Sequence, residues 1–140
     1  MQIAIAETDQ DIADCYPVLS QLRPQLAQEQ FVAQVRELMR EHGYRLVYLK
    51  DPQIKSVMGI RTGAWLHRGK YVEIEDLVTC QDQRSQGYGV QMLNWAKTYA
   101  KANGCSQVRL VSGVARERAH QFYQQHGMTF EAKYFSIDIE

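Results

Sequence analysis

What this 140-residue chain has little of narrows its class before any motif is read. Cysteine occurs three times, at Cys15, Cys80 and Cys105, an odd number with wide spacing, no Cys-x-x-Cys and no histidine cluster beside it. A disulfide framework and a metal site are therefore not expected, and a reducing cytoplasm is the economical location. Net charge is absent, since 16 basic side chains balance 16 acidic ones. No field then draws the chain to nucleic acid or to an anionic membrane. Long apolar runs are missing too: nothing approaches the roughly 20 residues of a membrane span, and Met1 to Glu7 has neither a basic stretch nor an extended apolar one. Repeats, low-complexity tracts and linkers are also lacking. At 16.2 kDa the expectation is one unprocessed, soluble domain over residues 1–140, large enough to bury roughly 70% of its unfolded surface.

Periodicity orders what is present. Ile3 and Ile5 alternate with small residues and predict a short strand, after which Thr8-Asp9-Gln10-Asp11 offers an N-cap. The helix behind it reaches about Leu22 and is expected to be short or kinked, with Pro17 inside it and a bend at Leu22-Arg23-Pro24. A second helix covers roughly 27–42, with Phe31, Val35, Leu38 and Met39 as its core stripe and Gly43 as its stop. Strands are expected at 44–50 and 54–61 around the Asp51-Pro52-Gln53 turn, and at 71–79. Gly89, Leu93, Ala96 and Ala100 give a helix ending at Asn103-Gly104. A strand at 108–112, a helix carrying Ala119 to Tyr123, and closing strands in which Phe135, Ile137 and Ile139 alternate complete the chain. The order is β-α-α-β-β-β-α-β-α-β-β, an α/β (α+β) fold on a mixed sheet.

Between the strand at 71–79 and the next helix lies Arg84-Ser85-Gln86-Gly87-Tyr88-Gly89. Two glycines let the backbone turn tightly and gather N–H groups at the positive end of a helix, a place suited to a pyrophosphate. A dinucleotide fingerprint would need a small residue where Met92 stands, and a P-loop would need Gly-Lys-Ser/Thr where Gly89 is followed by Val90-Gln91. Both fail. The pattern Arg-x-x-Gly-x-Gly resembles the acetyl-CoA signature of the GNAT superfamily of N-acetyltransferases. A second motif agrees with it: Ala119, Phe122-Tyr123 and Gly127-Met128 match, in order and spacing, the superfamily's helix after the following strand. The resemblance covers residues 71–139 and, with the element order, implies the GNAT fold for the single domain. The bend at Leu22-Arg23-Pro24, with Phe31 beyond it, is similar to small bacterial single-domain members.

The resemblance implies an enzyme that transfers acetyl from acetyl-CoA directly to a primary amine of a small molecule. It implies that the cosubstrate's pantetheine arm pairs with backbone groups of Leu77, Val78 and Thr79. The pyrophosphate would meet N–H groups over Gln86, Gly87, Tyr88, Gly89 and Val90, with Arg84 adding charge and Ser85 standing where relatives often have Gly. Tyr123 occupies the general-acid position, and a backbone N–H at Val78 or a neighbour would stabilise the oxyanion. Members often carry Asn where this chain has Arg116, which puts a usual pantetheine contact in question. A homodimer is the assembly many relatives adopt.

An alkyl amine with a pKa of about 10.4 arrives charged and must lose a proton before it attacks. Glu73 and Glu75, two apart on one strand and about 6.5 to 7 Å from each other, are the candidate bases; a water chain is the alternative. Glu75-Asp76-Leu77 resembles the Glu-Asp-Leu/Val of several amine-acetylating members. That resemblance favours Glu75 over Glu73, and both glutamates are also readable as the solvent face of a half-buried strand. Asp76 falls on the apolar parity of Val72, Ile74 and Val78, which a β-bulge would resolve. His120, His126 and Cys105 read as surface, helix-end and buried structural residues. Trp65, His67 and Tyr16 are rim or core candidates for an acceptor pocket. Two other functions stay open: a protein lysine or N-terminal acetyltransferase, and a non-catalytic acyl-CoA sensor.

Overall fold

The computed structural model describes residues 1–84 and 86–140. Ser85, expected in the cofactor loop, lies outside the described residues. The elements are β1 (Gln2–Ile5), α1 (Asp9–Leu22), α2 (Gln28–His42), β2 (Tyr44–Lys50), β3 (Ile54–Trp65), β4 (Gly69–Thr79), a 3₁₀ turn (Gln81–Gln83), α3 (Tyr88–Ala102), β5 (Gln107–Leu110) and α4 (Glu117–Gln125). They divide into two units, 1–109 and 110–140.

In the first unit, local chemistry sets the ends of the helices. Thr8 caps α1 through its hydroxyl, which accepts from Asp11 N–H at 3.0 Å, while the Asp11 carboxylate accepts from Thr8 N–H at 3.3 Å. This reciprocal box pulls the Asp11 carboxyl below its ordinary range. The helix is not short, as Pro17 suggested: it runs through that residue for 14 positions. Ser20 Oγ and Gln21 Nε2 both donate to Pro17 O, at 3.2 and 3.4 Å. Gly43 ends α2 in the left-handed region at φ 69°, a conformation only glycine adopts without strain.

The sheet order is β1-β2-β3-β4-β5. The first three pairings are antiparallel, and α3 supplies the crossover to β5 that makes the sheet mixed. One face packs on α1 and α2: Leu46, Tyr48, Val57 and Val78 meet Ile12, Cys15, Leu19, Phe31 and Val35. Cys15 is fully buried there, and that burial pushes its thiol up to about 12. The opposite face carries Met58, Ile60, Val72 and Ile74, and α3 offers Met92, Leu93, Ala96 and Ala100.

The two faces are reconciled by one extra residue. Ile60 opposes Ile74, yet the next residue along, Gly59, opposes Asp76, so Glu75 has no partner on β3. This is a β-bulge. It inverts the parity of β4, carrying Asp76 and Val78 to the α1–α2 face and Leu77 and Thr79 to the other. Asp76 is held there by Tyr44 Oη, donating at 2.9 Å, and by Arg23 Nε from the end of α1, also at 2.9 Å. Gly59 leaves the space: a Cβ there would collide with the Tyr44 hydroxyl and the Asp76 carboxylate.

The second unit contains α4 followed by residues 128–140, which carry no helix or strand. The expected closing strands are therefore not formed, and Phe135, Ile137 and Ile139 are exposed. Alternation marks which face a strand would bury, but a strand also needs a neighbour for its N–H and C=O groups. The sequence pattern contains only the first requirement.

Gly59→Ala is expected to cost about 1–3 kcal/mol by overpacking, and Asp76→Ala about 1–3 kcal/mol by stranding the buried Tyr44 hydroxyl; urea midpoints measure both. Burial first, then the Asp76 charge, raises the Tyr44 phenol well above its ordinary 10.0. The folded chain thus holds this proton more tightly than the unfolded one. The linked stability is intact below about pH 10 and declines above it, and Tyr44→Phe should flatten that decline.

Candidate active site

The expected site residues of the first unit fall along β4 and the start of α3. Glu73 faces the α1–α2 side, paired in register with Arg61. Glu75 occupies the bulge without a partner on β3, yet Arg61, the register partner of Glu73, also reaches Glu75, so both glutamates are on the α1–α2 face. Each has its own guanidinium. Arg109 Nε donates to Glu73 Oε1 at 2.7 Å. Arg61 meets both oxygens of Glu75: its NH2 group donates to Oε1 at 3.2 Å, and Nε lies 2.8 Å from Oε2. The latter contact is ionic and poorly directed, since Nε makes no hydrogen bond by geometry. Arg23 extends the chain of charges, donating from NH2 to Glu75 O at 3.1 Å besides its bond to Asp76. Each carboxylate is thus compensated by an arginine from a neighbouring strand.

The far edge of β4 is only partly covered. Ser106 N–H donates to Lys70 O at 2.8 Å, placing the beginning of β5 beside the beginning of β4, and Arg109 meets Glu73 two positions before the bulge. With four residues against eleven, β5 ends short of Leu77, Val78 and Thr79. On their other side these three pair with Met58, Val57 and Ser56, and Ser56 Oγ donates to Val78 O at 3.0 Å. The backbone where a thioester arm is expected is held rigidly from one side.

After the 3₁₀ turn, Arg84 is extended and exposed, with no hydrogen bond or ion pair among the described residues. Gln86 is exposed. Gly87 is the N-cap of α3 at φ 80°, and no side chain caps the helix. The first-turn N–H groups of Tyr88, Gly89 and Val90 have no partner within the helix, leaving them and the dipole to an incoming anion. Tyr88 Oη reaches back to Asp51 Oδ2 at 3.3 Å, anchoring the loop to the β2–β3 turn.

In the second unit, Tyr123 lies on α4, half-buried, its ring 5.6 Å from that of Phe122. Burial raises its phenol above 10.0, opposed by the positive charge of Arg116. The residue at the unusual position is therefore an electrostatic neighbour of the expected acid. The Gly127-Met128 pair has a structural explanation. Gly127 is left-handed at φ 92°, Met128 N–H donates to Tyr123 O at 3.0 Å, and Gly127 N–H donates to Gln124 O at 3.3 Å. This is the Schellman closure of a helix C-terminus. His126 packs against Phe122 with the rings tilted at 55° and centroids 4.6 Å apart.

Other candidates separate. Tyr16 is a brace, donating to Leu26 O at 2.7 Å and packing edge-on against Phe31. Cys105 is half-buried where full burial was expected. Trp65 is 43% exposed and meets His67 and Tyr71 edge-on. A shallow hollow at Ile3, Gln91, Asn94, Trp95 and Thr98 includes none of the expected site residues. Sequence reading missed Arg23, Arg61, Arg109 and Tyr71. The spacing of two in Arg61-Gly63-Trp65 and in Tyr71-Glu73 was a signal for a shared face.

The geometry describes an α/β domain with a strand edge leading to an anion-ready helix start. Residues 5–128 match the model of the acetyltransferase (GNAT) family, and the chain belongs to that family and is an N-acetyltransferase. It is 34% identical over 125 residues to the uncharacterized N-acetyltransferase YhdJ of Bacillus subtilis, covering 88% of each chain. It is 31% identical over 85 residues to an aminoalkylphosphonate N-acetyltransferase of Salmonella typhimurium, spanning 60% of this chain and 54% of that one. The fold superposes on a GNAT family acetyltransferase from Staphylococcus aureus with TM-score 0.82 and 15% identity, covering 99% and 98% of the two chains. No described helix is long and apolar enough to cross a membrane.

Gly87→Ala has open space around its Cβ but retains a left-handed backbone. It is expected to cost about 1–2 kcal/mol of stability and to weaken binding of pyrophosphate at the start of α3, read by calorimetry.

Proposed function

We propose that the chain transfers acetyl from acetyl-CoA to the primary amine of a small molecule. The observation that carries this is the uncapped start of α3 behind Gly87, reached along a β4 edge that β5 leaves uncovered. The N–H groups of Gly87 to Val90 would hold the pyrophosphate, Arg84 would add charge, and Leu77 to Thr79 would bind the pantetheine arm through their backbone. The curated relative named for aminoalkylphosphonates supports a small amine over a protein acceptor. The family model running through both units supports one functional domain, and three unpaired cysteines support a reducing, cytoplasmic setting.

The reaction needs three things of the protein. The ammonium must lose a proton, for which Glu75 or Glu73 is available directly or through water. The nitrogen lone pair then attacks the thioester carbonyl, and the negative oxygen of the tetrahedral intermediate takes a hydrogen bond from a backbone N–H near Val78. As the C–S bond breaks, sulfur leaves with its electron pair and accepts the Tyr123 proton, which the second proton shed by the attacking nitrogen replaces through water. The products are the amide and free CoA, and one proton is released overall. A phenol kept above its ordinary pKa by burial stays protonated at neutral pH, as an acid must.

Acetyl transfer to a panel of polyamines, amino acids, aminophosphonates, aminoglycosides and short peptides, read by product mass, tests the reading. Product with small amines is expected; product with peptides alone would replace the acceptor class, and acetyl-CoA binding without any product would replace catalysis by sensing. Tyr123→Phe should lower kcat by about 10² to 10⁴ with CoA binding nearly intact. Because the Arg116 charge favours the tyrosinate, Arg116→Gln should raise the Tyr123 pKa and move the alkaline limb of kcat to higher pH.

A further inference from the structure

Beyond the bulge, toward the β3–β4 turn, the α1–α2 face of the sheet carries a cluster that neither helix stabilisation nor the acetyl donor explains. Arg61, Gly63 and Trp65 of β3 share that face with Tyr71 and Glu73 of β4, in the register Arg61 to Glu73 and Gly63 to Tyr71. Gly63 is the gap that admits the Tyr71 ring, whose hydroxyl would meet any Cβ placed there. The guanidinium of Arg109, from β5, sits 3.6 Å from the Tyr71 ring centroid and 4.3 Å from that of Trp65. Its Nε is spent on Glu73.

Arg109 is thus fixed by two aromatic faces and one carboxylate, and its two terminal nitrogens make no hydrogen bond among the described residues. Its side chain keeps 26% of its exposure, so that fork is reachable. Arg61, in contrast, directs its NH2 group and Nε at the two oxygens of Glu75, one as a hydrogen bond and the other as an ionic contact. A braced guanidinium with an open fork matches the two oxygens of a carboxylate or phosphonate, which no lysine would match in direction. Glu75 has the complementary vacancy: each oxygen takes one contact from Arg61, which leaves acceptor capacity for an ammonium.

The charges fix the ligand class. Arg23, Arg61 and Arg109 balance Glu73, Glu75 and Asp76, so the cluster is neutral. A zwitterion adds no net charge and can be met at both ends. A polyamine would leave uncompensated positive charge against three arginines, and a simple anion offers nothing to Glu75. Building on the acetyl-transfer reading, we infer that the acceptor is a small zwitterionic amine whose carboxylate or phosphonate binds the terminal nitrogens of Arg109, while its ammonium is received by Glu75.

Matched acceptors test this. Wild-type enzyme is expected to use aminomethylphosphonate or β-alanine with kcat/KM about 10- to 100-fold above propylamine or cadaverine, the worth of one charged bidentate contact. Arg109→Gln should raise KM for the zwitterions by a similar factor and bring the two acceptor classes within a few-fold of each other. Arg109→Lys, which keeps the charge but loses the fork, should recover only part of the difference; it also serves if the glutamine variant does not melt cooperatively. Equal use of cadaverine by the wild type, or an unchanged zwitterion KM in both variants, would overturn the inference. The two readings fail separately. If no amine is acetylated, acetyl transfer falls, and calorimetric binding of aminomethylphosphonate to wild type but not to Arg109→Gln still upholds the anion site. No binding to wild type removes that site, whatever the enzyme acetylates.

Discussion

The extra residue at Glu75 is the constraint on which the rest of the first unit depends. An unbroken β4 would put Val72, Ile74, Asp76 and Val78 on one face, burying a carboxylate among the apolar side chains of α3, where ionised oxygen would have no partner. The bulge moves Asp76 to the side where Tyr44 and Arg23 reach it and brings Val78 into the α1–α2 core. It also sends Leu77 and Thr79 to the face opposite Asp76. Since Arg23 ends α1, the same carboxylate ties the first helix to β4. A deletion of one residue at this point would undo the core, the helix docking and the register of β4 against β3 together.

The arginine–carboxylate pairs on this face are poor candidates for stability. Half-exposed ion pairs contribute little on average, and a well-packed apolar substitute is often as good. Their value lies in geometry. An arginine held at Nε by one carboxylate has its remaining nitrogens aimed, and a carboxylate held by one arginine has its remaining lone pairs aimed. Stacking on Tyr71 and Trp65 removes the rotamer freedom that Arg109 would otherwise lose on binding. The face is preorganised for a ligand that carries both signs, at the cost of leaving it without an unpaired general base. Deprotonation of the amine at Glu75 must then be compatible with the Arg61 contact, which favours a base that relays through water over one that strips the proton alone.

Much of this was legible in the sequence because it depends on local chemistry. The capping box at Thr8, the glycine stop at Gly43, the β2 limits and the Gly87 turn all follow from which residue tolerates which backbone conformation. The need for a bulge was legible as well, since a lone aspartate in an apolar parity is a contradiction that a single inserted residue resolves. The spacing of two that puts Glu73 and Glu75 on one face was also legible, since Arg61 opposite Glu73 reaches Glu75 as well, and the inversion of parity begins only at Asp76. The arginine partners were not legible. Arg61, Arg109 and Arg23 come from three other elements, and only the register and the sheet order bring them to one strand. The closing strands were overread, because alternation in Phe135, Ile137 and Ile139 says nothing about where a ladder partner would come from.

β4 unites the two halves of the proposed chemistry. Before the bulge it presents side chains, Tyr71 and Glu73, to an acceptor; after it, the backbone of Leu77 to Thr79 is presented to a donor. Backbone recognition tolerates side-chain change, so the donor half can keep one cosubstrate while the acceptor half varies. The bulge is the point where the strand changes from one task to the other, and its carboxylate sits between them. Placing the amine's proton acceptor at that junction puts it beside both reactants on a strand clamped by β3, where a displacement of an ångström would be resisted by the ladder instead of absorbed by a loop.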